Sequence, residues 1–205
     1  ARLTGGQKVV GSNPASPTMP SSAESSHLQD RVVVVTGAGS GFGRLIIEGA
    51  AARGARAVVS DIDSAAVDTV VAEIVANGGE ALGVTTDVRD LDQMRSLVQQ
   101  AVDRFGAVDV MVNNAGIMPL AFLADHATAS EAWDRCIDIN FKGVVHGISA
   151  VHDQMIAQGR GHIVNISSVY GNAGTAGSGV YSATKAAVRV LSDSLRLETQ
   201  GRIKV

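Results

Sequence analysis

Short β-branched runs alternate with longer amphipathic segments along most of this chain of 205 residues. The runs lie at 32–35, 57–60, 82–85, 108–112 and 162–166. Between them, apolar residues recur at every third or fourth position, which is typical of one face of a helix. Strands that alternate with helices of this length pair in parallel, because each helix carries the chain back across the sheet. The sequence therefore predicts an α/β fold with a doubly wound parallel sheet of the Rossmann type, in three α/β/α layers.

The composition agrees with a sheet that helices cover on both faces. Hydrophobic residues make up 45% of the chain and aromatic residues only 3%, while 23 residues are glycine. The run at 32–35 is valine throughout, the kind of uninterrupted apolar segment found in buried parallel strands. Open sheets of this kind bind ligands at the carboxyl ends of their strands. We therefore expect the functional residues at that edge.

The charge and the cysteine content exclude several other classes of protein. The net charge of −3 offers no basic surface for a nucleic-acid backbone, so no nucleic-acid partner is expected. No apolar run approaches the roughly 20 residues of a membrane-spanning helix, so no membrane partner is expected. The five histidines and one cysteine form no metal-ligand motif, so no metal is expected. With Cys136 as its single cysteine and no secretory signal, the protein is predicted to be cytoplasmic.

The beginning of the chain differs from the rest. Residues 1–30 are rich in Ser, Gly and Pro, which predicts a disordered leader before a dinucleotide-binding domain at 31–205. Gly11-Ser12-Asn13-Pro14 is the translation of GGT TCG AAT CCC, the T-arm of a transfer-RNA gene read in one frame. Two explanations are open: a mis-called start upstream of Met19, or an ordinary disordered tail. The intact mass of the natively expressed protein distinguishes them.

A glycine-rich turn follows the first predicted strand. Its sequence is Thr36-Gly37-Ala38-Gly39-Ser40-Gly41-Phe42-Gly43, and a predicted helix begins at its end. Converging backbone N–H groups and the helix dipole favour an anion there, and glycine lets the backbone approach a pyrophosphate. Many turns between a strand and a helix carry glycine without a ligand. The strand–turn–helix context nevertheless favours nucleotide binding.

An acidic residue ends the second predicted strand. Asp61 follows Gly43 by 18 residues, where a carboxylate can accept hydrogen bonds from ribose hydroxyls and repels a 2′-phosphate. Neither Ser40 nor Ile62 offers a positive charge for that phosphate. Either Asp61 or Asp63 could instead cap the next helix, and Asp63 fits the cap better. The pattern therefore predicts NAD rather than NADP.

The most specific pattern is Tyr181-Ser182-Ala183-Thr184-Lys185. Tyr181 and Lys185 are four residues apart on a predicted helix, so they share a face. A phenol has an ordinary pKa of about 10, and a neighbouring ammonium lowers it toward neutrality. Such pairs also occur by chance, but Ser168 lies 13 residues upstream, directly after the fifth predicted strand. Its hydroxyl can hydrogen-bond a carbonyl oxygen while Tyr181 supplies the proton.

Further polar residues at strand ends lie beside the same crevice. Thr86-Asp87-Val88 ends the third predicted strand, and an Asn-Asn-Ala-Gly sequence ends the fourth. Each alone is ordinary turn chemistry. Taken together, the motifs resemble the short-chain dehydrogenase/reductase family, in its single-domain, NAD-preferring form. The matching motifs run in the family's order over residues 31–205: Thr36-Gly37-x-x-x-Gly41-x-Gly43, Asn113-Asn114-Ala115-Gly116, Asn140, Ser168 and Tyr181-x-x-x-Lys185.

The resemblance implies a role for each matching residue. Tyr181 would be the general acid/base, Lys185 would lower its pKa and bind the nicotinamide ribose, and Ser168 would polarise the substrate carbonyl. Asn140 would hold a water that links Lys185 to solvent, and Asn113 would support the centre of the sheet. The implied cofactor contacts are Gly37, Ser40, Gly41, Phe42, Gly43, Asp61, Asp87, Val88, Asn114, Ala115, Gly116, Tyr181 and Lys185.

These roles predict an oxidoreductase that transfers a hydride between NAD(H) and a small secondary alcohol or ketone. A non-catalytic dinucleotide-binding protein is the alternative on the same fold, and it would not need the Tyr-x-x-x-Lys pair. A NADPH-dependent acyl-thioester reductase is a nearer alternative that Asp61 disfavours. The resemblance also implies a homodimer or homotetramer that pairs through the helices carrying Asn140 and Tyr181.

The other end of the chain departs from the family pattern. Residues 203–205 are expected to begin a sixth strand. The substrate-binding segment and the last strand of the family would follow that point, so we expect a fragment truncated at its C-terminus. An inactive truncated product is therefore a third possibility. Circular dichroism and NAD titration test it.

Overall fold

The computed structural model describes residues 26–205, so the predicted leader and the proposed start at Met19 fall mostly or wholly outside the described residues. In this described part of the chain, five parallel strands form one sheet in the order β3-β2-β1-β4-β5, which confirms the doubly wound α/β fold. The order reverses between β1 and β4, where a crevice opens in folds of this kind. The strands are β1 (Val32–Thr36), β2 (Arg56–Asp61), β3 (Glu80–Thr85), β4 (Val110–Asn113) and β5 (His162–Asn165).

Between residues 26 and 205, six α-helices connect and cover the strands: α1 (Gly41–Ala51), α2 (Ser64–Ala76), α3 (Leu91–Phe105), α4 (His126–Ile137), α5 (Gly143–Ala157) and α6 (Gly179–Thr199). The sequence predicts one helix through 133–155, and the structure interrupts it. A π-helical turn at Asp138–Lys142 joins α4 to α5 and contains Asn140. Such turns commonly occur at functional sites, and hydrophobic periodicity does not predict them.

Two hydrophobic layers sandwich the sheet. Successive valines of β1 point to opposite faces, as the pleat of a strand requires. Val32 and Val34 pack with Met94, Leu97 and Met155 in the layer formed by α3 and α5. The alternate valines of β1 pack in the opposite layer against α1 and α2. The three-layer arrangement is therefore confirmed.

The amino edge of the sheet is held by one buried carboxylate. Asp109 is 7% exposed and accepts hydrogen bonds from Val32 N at 3.0 Å, Arg31 at 3.2 Å and Arg160 at 2.7 Å. Burial opposes the ionisation of Asp109, but these hydrogen bonds outweigh it, so the pKa of the carboxyl lies below its ordinary value. This carboxylate therefore ties β1 to the segments that enter β4 and β5.

The last residues lie beside β5. Lys204 forms one parallel bridge with His162, in which Ile163 N donates to Lys204 O at 2.8 Å. This pairing agrees with the expected start of a sixth strand at 203–205. Within residues 26–205, no helix is both long enough and apolar enough to cross a membrane.

Candidate active site

A cavity of about 970 Å³ lies at the carboxyl edge of the sheet. It extends from the glycine-rich turn after β1 to the start of α6. All of the catalytic and cofactor residues predicted from the sequence line it except Gly43 and Asn140, which are buried. The predicted residues that line it are Gly37, Ser40, Gly41, Phe42, Asp61, Asp87, Val88, Asn114, Ala115, Gly116, Ser168, Tyr181 and Lys185.

The glycine-rich turn leaves no room for larger residues at two positions. Gly37 has a φ of +64°, which L-residues with a side chain rarely adopt. A Cβ on Gly43 would lie 2.1 Å from Gly37 O and 2.5 Å from Asn114 Nδ2. Ser40 precedes α1 without a side-chain hydrogen bond to the helix. The turn thus presents the first N–H groups of α1 to the cavity, where they can bind an anion.

Asn114 fixes this turn to the end of β4. Its Nδ2 donates to Thr36 O at 2.9 Å and to Gly37 O at 3.2 Å. The backbone N–H groups of Asn114 and Ala115 donate to Thr36 Oγ1 at 3.1 and 3.2 Å. The sequence motifs predict Asn114 as a cofactor contact and predict no role for the Thr36 hydroxyl. The structure shows that both hold the two strand ends together at the switch in strand order.

The two aspartates after β2 have separate contacts. Asp63 caps α2 by accepting from Ala65 N and Ala66 N, as the sequence predicts. Asp61 Oδ2 accepts from Gly39 N at 2.9 Å, and Asp61 Oδ1 accepts from Asp63 N at 3.2 Å. A carboxylate has about four acceptor positions, so Asp61 retains capacity for further donors at the cavity wall. Asp61 is thereby fixed in place beside the glycine-rich turn.

The segment after β3 depends on two residues that the sequence analysis missed. Arg89 binds the Asp87 carboxylate through its Nε at 2.9 and 3.0 Å, and this hydrogen bonding lowers the pKa of Asp87. His146 Nδ1 lies 2.9 Å from Val88 O. Because His146 is 58 residues from Val88 in the chain, no local pattern could have indicated the contact. Val88 itself is 8% exposed, so its side chain belongs mainly to the core.

Tyr181 and Lys185 lie on the first turns of α6, at the opposite end of the cavity from Asp61. Lys185 Nζ is 5.9 Å from the centroid of the Tyr181 ring and donates to Ile166 O at 2.8 Å. Lys185 is only 5% exposed, and this burial lowers its pKa. Two of its three N–H donors remain available to other groups.

Ser168 is held close to α6 by its neighbours. Ser168 Oγ accepts from Tyr170 N at 3.2 Å. Ser167 Oγ donates to Lys185 O at 2.8 Å. A Cβ on Gly171 would lie 2.9 Å from the Lys185 carbonyl carbon, so the turn that contains Ser168 packs directly on the α6 backbone. The hydroxyl of Ser168 keeps its own proton for donation into the cavity.

Asn140 is fully buried in the π-helical turn. Its Oδ1 accepts from Ile117 N at 2.8 Å, and its Nδ2 donates to Ile117 O at 2.8 Å. A Cβ on Gly116 would lie 3.2 Å from Asn140 Oδ1 and 3.5 Å from Lys185 Nζ. The side chain of Asn140 therefore braces the loop after β4, and Gly116 of that loop lies close to both Asn140 Oδ1 and Lys185 Nζ.

Asn113 links β4 to β5 and α6. Its Nδ2 donates to Asn165 Oδ1 at 2.8 Å, and Asn165 Nδ2 donates to Ser192 Oγ at 2.9 Å. A Cβ on Gly147 would lie 1.9 Å from Asn113 Oδ1, so α5 also approaches closely. These contacts agree with the expected support of the sheet centre.

Two features of the described chain concern metal binding and thiol chemistry. Residues 26–205 contain no cluster of three or more His, Cys, Asp or Glu side chains that could hold a metal ion. Cys136 is buried, and burial raises the pKa of its thiol, which disfavours the reactive thiolate. Its sulfur lies 3.3 Å from Asn140 Nδ2, so it packs against the brace around Ile117.

Comparison of the sequence with known proteins identifies a family and several relatives. A sequence profile described as short chain dehydrogenase matches residues 31–205. An uncharacterized oxidoreductase of Listeria monocytogenes is 41% identical over 84% of this chain and 68% of its own length. A 3-oxoacyl-[acyl-carrier-protein] reductase of Synechocystis sp. is 40% identical over 85% of this chain and 70% of its own length.

A solved structure of the same family resembles this chain in fold and in sequence. The crystal structure of a short chain dehydrogenase/reductase from Burkholderia phymatum in complex with NAD superposes with a TM-score of 0.83 and 35% identity. The match covers 86% of this chain and 64% of that chain, so this chain spans about two thirds of its relatives' length. The family binds nicotinamide dinucleotides, and the crevice described above lies where such folds bind them. The chain belongs to the short chain dehydrogenase/reductase family of oxidoreductases.

Proposed function

We propose that this chain transfers a hydride between NAD(H) and a secondary alcohol or ketone, with Tyr181 as the general acid/base. The observation that carries the proposal is the single cavity lined by the glycine-rich turn, Asp61, Ser168, Tyr181 and Lys185. A dinucleotide site at one end and a proton donor at the other are the two parts that such a reaction needs.

The residues of the chain suit the cofactor. A Cβ on Gly43 would meet Gly37 O and Asn114 Nδ2, so this glycine lets α1 pack closely on the end of β1, whereas a Cβ on Gly41 would meet no atom of the chain within 4 Å. Asp61 is fixed by Gly39 N and offers its remaining acceptor positions to ribose hydroxyls. Its negative charge opposes a 2′-phosphate, which supports NAD over NADP. When bound, the nicotinamide accepts or returns the hydride.

Tyr181 accepts and donates the proton of the proposed reaction. In the direction of oxidation, the Tyr181 phenolate takes the hydroxyl proton of the alcohol while the carbinol carbon gives up its hydride and the C=O bond forms. In the direction of reduction, the Tyr181 hydroxyl returns that proton to the carbonyl oxygen. The Lys185 ammonium beside the ring stabilises the phenolate by its positive charge.

Ser168 orients the reacting oxygen. Because Ser168 Oγ already accepts from Tyr170 N, its own O–H is free to donate to the substrate oxygen. That hydrogen bond strengthens as charge develops on the oxygen during hydride transfer. Lys185 has two N–H donors left after its bond to Ile166 O, enough for the nicotinamide ribose and a water chain. Asn140, beyond Gly116, is the residue proposed to hold that water.

One relative favours a second substrate class. The similarity to a 3-oxoacyl-[acyl-carrier-protein] reductase supports reduction of a 3-oxoacyl thioester by the same residues. Its 3-oxo group is also a ketone, so the roles of Ser168 and Tyr181 do not change. A NADPH-dependent version of that activity is disfavoured by the charge of Asp61.

The test is Tyr181→Phe in the full-length gene product, screened with secondary alcohols and NAD and with ketones and NADH. We expect turnover to fall at least about 100-fold, because general acid/base groups contribute that much or more. NADH affinity should stay within about twofold, since the aromatic ring remains. Tyr170→Phe is the matched control, because its ring packs edge-on against Tyr181. Wild-type turnover by Tyr181→Phe would refute the assignment.

A further inference from the structure

Two loops flank the catalytic end of the cavity, and neither contains a charged side chain. The first is residues 114–124, after β4, and the second is residues 167–180, between β5 and the first turn of α6. Ile117, Met118 and Val169 from these loops line the cavity together with Ser168 and Tyr181. The surface next to the reacting oxygen is therefore apolar.

The same two loops carry further exposed apolar residues. Leu120 is 67% exposed, Phe122 62%, Leu123 70% and Val169 80%. Single apolar residues are normal on a protein surface, but these four lie in the loops that border the reacting groups, where apolar side chains can bind a substrate. We call the group formed by Ile117, Met118, Leu120, Phe122, Leu123 and Val169 the apolar wall.

Hydrogen bonds hold the two loops in place. Ala121 N donates to Gly177 O at 2.9 Å, which joins the loop after β4 to the loop before α6. Asp125 Oδ2 accepts from Phe122 N at 3.1 Å, so the first carboxylate beyond the loop is used locally. Because the loops are tied together, the apolar wall exists without a ligand, and binding does not have to order it.

Among residues 26–205, three cations line the cavity, and two of them bind other groups of the chain. Arg89 binds Asp87, and Lys185 donates to Ile166 O beside Tyr181. The third, Arg135, enters the cavity from α4 rather than from either loop. The six residues of the apolar wall itself are all uncharged.

Resting on the proposed function, we propose that the substrate carries an uncharged apolar substituent next to its reacting carbon, and that the apolar wall binds this substituent. Each CH₂ group that the wall removes from water should raise kcat/KM roughly threefold to fourfold. A carboxylate or phosphate at the same position loses its hydration against the wall and gains no charged partner from the wall. Anionic substrates should therefore react poorly.

The experiment compares methyl ketones from butanone to octanone, with NADH and the full-length protein. A second comparison uses 4-oxopentanoate and 5-methylhexan-2-one, which have nearly the same shape but differ by one charge. We expect kcat/KM to rise along the series by at least about tenfold in total. The uncharged ketone should exceed the anionic ketone by at least about tenfold.

A positive charge introduced into the apolar wall tests the preference for uncharged over anionic ketones. Val169→Lys places a cation on the apolar wall, and because Val169 is 80% exposed, the substitution should not impair folding. We expect it to lower kcat/KM for octanone and raise it for 4-oxopentanoate. Val190→Lys is the matched control, because Val190 is an exposed valine of α6 outside the cavity lining. It should leave both substrates unchanged.

The outcomes separate this inference from the proposed function. Turnover of ketones with no dependence on chain length, or with preference for 4-oxopentanoate, overturns the role of the apolar wall and leaves the proposed function intact. NADH binding without turnover of any ketone or alcohol overturns both. The inference is supported if kcat/KM rises along the methyl ketone series and if Val169→Lys lowers kcat/KM for octanone while raising it for 4-oxopentanoate.

Discussion

Asp109 and Lys185 are buried charges at opposite edges of the same sheet, and their surroundings differ. Asp109, at the amino edge, is 7% exposed and has three charged or backbone donors around it. Lys185, at the carboxyl edge, is 5% exposed and donates to one backbone carbonyl of the chain. The pKa of Asp109 is lowered, which favours its charge, whereas burial lowers the pKa of Lys185, which opposes its charge.

The difference distinguishes a charge that stabilises the fold from a charge for which we propose a role in the reaction. Hydrogen bonds satisfy the Asp109 carboxylate, so its ionised form stabilises the fold. Burial of the Lys185 ammonium lowers the stability of the fold. We attribute its presence to its two remaining N–H donors, which face the cavity. Groups with perturbed pKa values in a cleft are candidates for function for this reason. Removal of the Asp109 charge should therefore lower the free energy of unfolding, and removal of the Lys185 charge should raise it.

Lys185→Met should produce the largest effect on activity. We expect turnover to fall at least about 100-fold, because Tyr181 loses the cation that stabilises its phenolate. The free energy of unfolding should rise by about 1 kcal/mol, since a buried charge is replaced by an apolar side chain. Steady-state kinetics and urea unfolding measure the two effects. Loss of stability in this variant would break the comparison with Asp109.

Gly43→Ala should produce the next largest effect, on cofactor affinity. A Cβ there meets Gly37 O and Asn114 Nδ2, so the turn that presents the N–H groups must move. We expect NADH affinity to fall at least about tenfold, measured by fluorescence titration. Gly49→Ala in the same helix is the control, because its Cβ would meet only Arg53 Nη1 at 3.5 Å. That change should leave NADH affinity unaltered and stabilise α1 by about 0.5–1 kcal/mol.

Asp109→Ala tests the structural member of the pair. It leaves Val32 N without its acceptor and Arg160 without its partner, so we expect a loss of about 2 kcal/mol of stability at pH 7. NADH affinity should stay unchanged, because the amino edge lies across the sheet from the cavity. Asp103→Ala, an exposed position on α3, is the control and should change stability by less than about 0.5 kcal/mol.

The pH dependence of stability carries opposite signs for the two charges. Because the pKa of Asp109 is lower in the folded protein, its contribution is fully present above about pH 4 and is lost as pH falls through the folded value. The stability gap between wild type and Asp109→Ala should therefore shrink in acid. Lys185 has a lowered pKa, so its destabilising effect is present below the folded value and is relieved as pH rises toward about 10.4.

His146 variants should have the smallest effect, confined to the adenosine side of the cavity. If the bond from Nδ1 to Val88 O fixes the segment after β3, His146→Ala should weaken NADH binding about threefold without lowering kcat. His146→Asn should restore affinity, since its amide can donate to the same carbonyl. His152→Ala is the control on α5, because His152 Nδ1 lies 2.9 Å from the neighbouring Asp153 carboxylate and not beside Val88 O. Equal effects of all three variants would contradict a positioning role.

Local patterns predicted much of the structure. The valine run at 32–35 gave β1, and the choice of Asp63 as helix cap left Asp61 for the crevice, as the structure shows. The break in the helix at Asn140 was missed, because a π-helical turn keeps the apolar spacing on either side nearly unchanged. The contact of His146 with Val88 O was missed because it joins distant parts of the chain.

The sequence by itself determined the α/β class, the parallel sheet and thirteen of the residues that line the cavity, since these follow from short-range periodicity and from motifs at strand ends. Only the tertiary structure decided how those residues are held. Packing of distant segments made Asn114 a link between two strand ends, made Asn140 a brace for Ile117 and buried Lys185 to 5% exposure. Hydrogen bonding and desolvation depend on neighbours brought together by folding, so spacing along the chain does not specify them.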